Sequence, residues 1–241
     1  MLYNGVVPYT EPLQISAKNL GELALPNFCP RCFWLKLHTK KLPFQIFPGI
    51  FSSIDSYTKH VVHSAFDVHG HAPGWLSELG DVVGYCPPPH HSKYRCYDEE
   101  SGVLLTGAPD GILVLANGSH VIVDYKTARL TGGQDSLFPI YRVQLNGYAY
   151  IGERCGFGPV TGLALIYFEP VTHQEAAVHS HRDDGFNMCF KASILRVGLE
   201  KDSVLALMGR AREIYGLPEP PEGSDGCENC LLLDNLTAYV R

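Results

Sequence analysis

The stretch GAPDGILVLANGSHVIVDYKTA, residues 107–128, holds two short apolar runs, ILVL and VIV, with Asn117–Gly118 between them. Asn-Gly between apolar runs is the mark of a tight hairpin turn, because both central residues of that turn need positive φ. Each arm nevertheless carries an acid that burial disfavours. Asp110 opens the first, Asp124 closes the second, and Lys126 follows two positions later. Side chains alternate along a strand, so Asp124 and Lys126 share one face and Tyr125 points to the other. Asp110, on the neighbouring arm, comes within reach of Asp124. The plain reading of such a group is an ion pair at a hairpin mouth, of little energetic weight. The chemical reading starts from repulsion: two converging carboxylates sit together when a hard divalent cation, Mg2+ or Mn2+, lies between them.

Working outward, 241 residues with 45% hydrophobic content can bury a sizeable core as one domain, with or without a small lobe. A net charge of −6 excludes a global basic field that would draw the chain to nucleic acid. Contact with nucleic acid then needs a local patch. CPRCFWLKLHTKK, residues 29–41, offers Arg31, Lys36, Lys40 and Lys41 with no acid among them, a pattern equally suited to a solvated helix face. No apolar run nears the ~20 residues of a membrane helix. The first residues lack a charged-then-apolar leader, so a cytoplasmic chain with no membrane partner is expected. There thiols stay reduced, and eight cysteines are not a disulfide frame.

Along the chain, the first 26 residues are irregular, with Ser16 placed to cap a helix. Proline suits a first helical turn, so a helix runs from about Pro30 to Lys40. Ile54, Tyr57, Val61 and Ala65 stand at helical spacing and predict a second. Residues 70–100 form loop with one strand near DVVGY. Strands fall near 102–106, 111–116 and 119–124, and a polar loop spans 129–139. A helix covers about 140–155, with Gly156 near its stop. TGLALIYFEP and EAAVHSHR are expected as strands, and a long helix near 185–215 leads to a Pro-rich tail. The order gives an α/β fold, a mixed sheet flanked by helices. The expected division is a helical N-terminal lobe over about 1–100, a core over about 101–215 and a cysteine segment over about 216–241.

Gly107-x-x-Asp110, Asp124-x-Lys126 and Gln144-x-x-x-Tyr148 follow one another in order. Gln144 and Tyr148 lie one helical turn apart on one face. Over about residues 100–170 this resembles the PD-(D/E)XK nuclease superfamily, in particular its RecB-like branch. The resemblance implies a restriction-endonuclease-like core. It implies that Asp110 and Asp124 ligate Mg2+ or Mn2+, that Lys126 assists attack by water, and that Gln144 and Tyr148 border the site. The expected activity is metal-dependent hydrolysis of phosphodiester bonds in DNA, as an exonuclease on single-stranded ends. Partners would be DNA and other nuclease or DNA-processing proteins. The alternative is a catalytically inactive nucleic-acid-binding protein of the same fold. The family's site often adds a helix histidine or glutamate upstream. His60 and His63 are the candidates here, with exposed helix histidines as the alternative.

Cys29 and Cys32 form C-P-R-C, and Cys227 and Cys230 form C-E-N-C, at opposite ends of the chain. Four thiolates suit tetrahedral zinc or a cubane iron–sulfur cluster. CPR-x-F-W-L-K is similar to the N-terminal cysteine segment of RecB-like nucleases with a cluster, including the CRISPR-associated exonucleases. That resemblance implies a [4Fe–4S] cluster joining the termini, with Zn2+ as the alternative. The family divides its cysteines one and three, whereas the division here is two and two. Cys86, Cys96, Cys155 and Cys189 have no such spacing and are assigned to packing.

Overall fold

The computed structural model describes residues 11–39, 48–130 and 136–239. Strand β1 (Leu13–Ser16) leads into a one-turn helix, α1 (Ala17–Leu20). Ser16 caps it as the sequence predicts, its hydroxyl accepting from the Asn19 N–H at 3.1 Å. Helix α2 (Pro30–His38) starts on proline, where the missing N–H costs nothing. Helix α3 (Gly49–His69) ends at Gly70, whose φ of 72° is the left-handed stop that glycine adopts freely. Next come β2 (Val82–Cys86), β3 (Arg95–Asp98), β4 (Val103–Thr106), β5 (Gly111–Leu115) and β6 (His120–Lys126). Helix α4 (Phe138–Arg154) connects to β7 (Val160–Pro170) and a short helix, α5 (Gln174–Val178). The two-residue strands β8 (His181–Arg182) and β9 (Gly185–Phe186) precede β10 (Phe190–Val197), α6 (Asp202–Tyr215) and α7 (Glu228–Ala238).

Five strands form the main sheet in the order β10-β7-β6-β5-β2. Only β6 and β7 run parallel, and α4 supplies the crossover that parallel neighbours need. The hairpin forms as expected, with β5 and β6 antiparallel and Gly118 at a φ of 79°. A three-stranded sheet, β1-β4-β3, stands beside it. The sheet is mixed, with helices against both faces. Val121, Val123 and Tyr125 of β6 join Val62 of α3 and Leu76 in one core. Ile122, on the opposite face, joins Leu145 and Ile151 of α4, Leu20 of α1 and Leu105 of β4 in the other. Helix α4 is thus enclosed, and every residue from Val143 to Gly152 is buried. Its small residues make that possible: Gly147 sits so close to α1 that a Cβ there would lie 2.7 Å from the Ala17 Cβ.

The structure departs from the sequence reading in four places. The described part of the first 100 residues is not purely helical, because β1 and β3 belong to the small sheet and β2 to the large one. The first half of EAAVHSHR is helix α5, started by His173, whose ring accepts from the Ala176 N–H at 3.2 Å, and only His181–Arg182 are strand. The long helix near 185–215 is only α6. FKASILRV ahead of it is β10, drawn into eight consecutive pairings with β7 despite its helix-forming residues. Helix α7, which starts at the second cysteine pair, was not expected. The predicted loop 129–139 falls partly outside the described residues. Among the described residues, no helix is long and apolar enough to cross a membrane.

Gly147→Ala tests the packing that encloses α4. Alanine in a helix is favoured over glycine by about 1 kcal/mol, whereas overpacking a closed core costs about 1–3 kcal/mol. The contact with Ala17 makes the second effect win, so chemical denaturation should show a net loss near 1 kcal/mol. A stabilised variant would mean that α1 is not seated on α4.

Candidate active site and metal centre

Asp124 lies near the end of β6, 4% exposed, on the face that α4 covers. A lone carboxylate there would be untenable, and the chain surrounds it with donors. Lys126 Nζ approaches Asp124 Oδ2 to 2.6 Å, since alternation puts both on one side of the strand. Gln144 Nε2 donates to Asp124 Oδ1 at 3.1 Å and to the Tyr148 hydroxyl at 2.7 Å. The Lys126 ammonium also stands 3.9 Å over the Tyr141 ring. Tyr141, Gln144 and Tyr148 form one line on α4 at spacings of three and four.

Asp110 precedes β5, and its Oδ2 accepts from the Tyr125 backbone N–H at 2.8 Å. That bond fixes one carboxylate beside the other. Burial first, and the Asp110 charge second, push the Asp124 carboxyl up from an ordinary 3.8 to about 6, against the pull of Lys126. The glycine of Gly107-x-x-Asp110 has a steric origin. A Cβ at position 107 would fall 2.4 Å from Cε1 of Tyr148, so only glycine lets the tyrosine ring close over the strand end. The three spaced motifs of the sequence therefore meet at one place.

The histidines do not join them. His60 is exposed, and His63 stacks on Tyr85 with ring centroids 4.1 Å apart. From the same helix it is Lys59 that reaches the site, 2.8 Å from Asp110 Oδ1 and 2.8 Å from Asp55 Oδ2. Neither Lys59 nor Tyr141 was singled out in the sequence. Tyr141 was findable, three residues before Gln144 on the same face; Asp55-x-x-x-Lys59 is an ordinary helix ion-pair spacing that carries no such signal.

Hard oxygen donors suit a divalent cation here. Gln144 Oε1 is buried with no hydrogen-bond partner, and the Asp110 charge adds to burial in raising the Asp124 carboxyl. Asp110 and Asp124 are the residues to hold such an ion.

The second centre lies at the chain ends. Cys29 is the N-cap of α2 and Cys227 the N-cap of α7, so each C-x-x-C places its second cysteine in the first helical turn. The four sulfurs gather within 4.8 Å of one another. Cys230 Sγ is 3.5 Å from those of Cys29 and Cys32, and Cys32 Sγ is 3.7 Å from that of Cys227. Among the described residues this is the one group of three or more His, Cys, Asp or Glu whose ligand atoms cluster so, and it can hold a metal ion. Burial pushes the Cys29 thiol up, but the backbone N–H groups of Cys32 and Ser224 outweigh it, bringing it down to about 6. Gly223 lies against Cys230, where a Cβ would meet its sulfur at 2.8 Å. Arg31 clamps Asp234 of α7 with two bonds, of 2.7 and 3.1 Å.

The basic patch is weaker than its sequence suggests. Arg31 is paired with Asp234 and Lys36 with Glu22, and Lys40 and Lys41 lie outside the described residues. Of the other thiols, Cys86, Cys96 and Cys155 pack against the core as expected, and Cys189 is exposed.

No protein-family model and no curated protein matches the chain. Among solved structures, one titled "Crystal structure of SSO0001" aligns over 87% of this chain and 80% of that one, at 12% identity and a TM-score of 0.36. A likeness that slight carries neither fold nor chemistry across.

The buried carboxylate makes a stability prediction. A carboxyl raised in the folded state stabilises the fold fully below its unfolded value, and that stability is lost as pH rises through the folded one. The shift of Asp124 from 3.8 to about 6 corresponds to about 3 kcal/mol lost by neutral pH. Asp124→Asn should therefore raise the melting temperature at pH 7 with no divalent cation added, and the gain should shrink as pH falls from 6 toward 4. A variant less stable than wild type at pH 7 would mean that Lys126 outweighs burial.

Proposed function

We propose that the chain is a metal-dependent deoxyribonuclease of the RecB-like, PD-(D/E)XK type, hydrolysing phosphodiester bonds. The observation that carries this reading is the convergence of Asp110, Asp124, Lys126, Gln144 and Tyr148 on one end of the central hairpin. Asp110 and Asp124 would hold a divalent cation, which would supply Lewis-acid activation and charge neutralisation at the phosphate. The side chains do the rest. Asp124 and the Tyr141 ring hold the Lys126 ammonium in place, beside the carboxylates and not free in solvent. From there it orients a water and donates to developing charge. Gln144 fixes the rotation of the Asp124 carboxylate, and Tyr148 fixes Gln144. The preference for single-stranded DNA ends comes from the sequence resemblance alone.

One observation favours a second reading, that of a nucleic-acid-binding protein without activity. Among the described residues no third carboxylate or imidazole gathers with Asp110 and Asp124.

For the cysteine centre we propose a single tetrahedral ion of the zinc type. Sulfurs about 2.3 Å from one zinc stand ~3.8 Å apart; three of the pairs here are at 3.5 to 3.7 Å and all lie within 4.8 Å. A cubane interposes four irons and needs its thiolates much further apart. The spacing of the sulfurs therefore favours zinc, the alternative of the sequence reading, over the cluster.

Purified protein incubated with Mn2+ and labelled single- and double-stranded DNA tests the activity. Cleavage is expected, Asp124→Asn should abolish it, and Lys126→Ala should slow it about a hundredfold or more. Absence of cleavage together with DNA binding would establish the second reading.

Elemental analysis tests the cysteine centre. One zinc per chain in a colourless protein is expected, and Cys230→Ser should lose it and melt at lower temperature, because ligation contributes folding free energy. A brown, iron-bearing protein would restore the cluster.

A further inference from the structure

Lys59 bridges two acids, with its Nζ 2.8 Å from Asp110 Oδ1 and 2.8 Å from Asp55 Oδ2. Asp110 has its other oxygen tied to the Tyr125 backbone N–H at 2.8 Å. Its two holds differ in kind. The N–H belongs to the backbone of the central strand and cannot move, whereas the ammonium ends a flexible four-carbon stem. A divalent ion taken by Asp110 meets the Lys59 charge on the same carboxylate. At that range the two cations repel strongly. The one that can leave without unfolding the strand is Lys59. Asp55, one helical turn back on α3, is already its second partner and keeps the ammonium when Asp110 is given up.

We propose that Lys59 is a positioning residue that holds Asp110 in the metal-free protein and is displaced onto Asp55 when a divalent cation loads. It thereby sets the cation concentration at which the site fills. This inference rests on the two-carboxylate reading above. It gives α3, which contributes no ligand, a part in the site's metal response.

The test is Mn2+ binding by the full chain, followed by the paramagnetic resonance of free Mn2+ with no nucleic acid present. Asp124→Asn, run in parallel, measures Mn2+ held elsewhere. Lys59→Met keeps the stem and removes the charge, and should tighten Mn2+ binding about tenfold or more. Lys59→Gln, which retains hydrogen bonds to both acids, should tighten it too and serves if the methionine variant does not fold. Asp55→Asn removes the resting place, so it should weaken binding in the wild-type background and leave it unchanged beside Lys59→Met. Unchanged or weaker binding in both Lys59 variants overturns the proposal. Equal weakening by Asp55→Asn in both backgrounds also overturns it, by making Asp55 a ligand. If wild type takes up no more Mn2+ than Asp124→Asn, the two-carboxylate reading itself falls and Lys59 has nothing to regulate.

Discussion

Asp124 sits inside the central strand of the larger sheet, with β5 on one side and β7 on the other. A charge in that position can neither reach solvent nor be left alone, and much of the surrounding architecture answers that demand. Helix α4 lies against the strand so that Gln144 can donate to the carboxylate, and it is buried over ten residues as a result. Tyr148 has to pass the backbone at position 107, which only glycine allows. Lys126 supplies the opposite charge from two residues away, and Tyr141 supports it from the helix. Replacing this group with hydrocarbon would give an easier core to fold.

The two centres differ in donor type as well as place. One presents hard carboxylate oxygens at the strand ends; the other presents four thiols at two helix N-termini. Oxygen donors suit magnesium and manganese, and thiolates suit zinc or iron. On the function proposed above, the two sets of ligands would take different ions without competing. At one of these sulfurs, backbone N–H groups, that of Cys32 at a helix start among them, favour the thiolate form. That effect is seen at Cys29, held down near 6 in spite of its burial.

What the sequence made legible was local. The Asn117–Gly118 hairpin, the cap at Ser16 and the start of α2 at Pro30 each depend on a few neighbouring residues. The cysteine pairs were legible because two identical spacings are rarely accidental. The misreadings arose where distant chain decided the outcome. FKASILRV has the composition of a helix and becomes a strand only because β7 offers an edge along its full length. LQIS looked irregular and became β1 because β4, about ninety residues later, pairs with it in parallel. Lys59 was invisible for the same reason. Its neighbour Asp55 explains it fully on the helix, and only the fold brings it to Asp110.

The cysteine quartet also has a consequence in time. Cys29 and Cys230 touch across 201 positions of sequence. At a synthesis rate of about 5–20 residues per second, roughly 10–40 s separate the emergence of the two pairs from the ribosome. Throughout that interval α2 has no partner for its thiols, and the sheet must assemble without the clasp. An ion held by all four thiols would therefore have to wait until the second pair has emerged. On the zinc reading, molecules lacking the ion would keep the two cysteine segments unfastened, the kind of loose segment that proteases cut first.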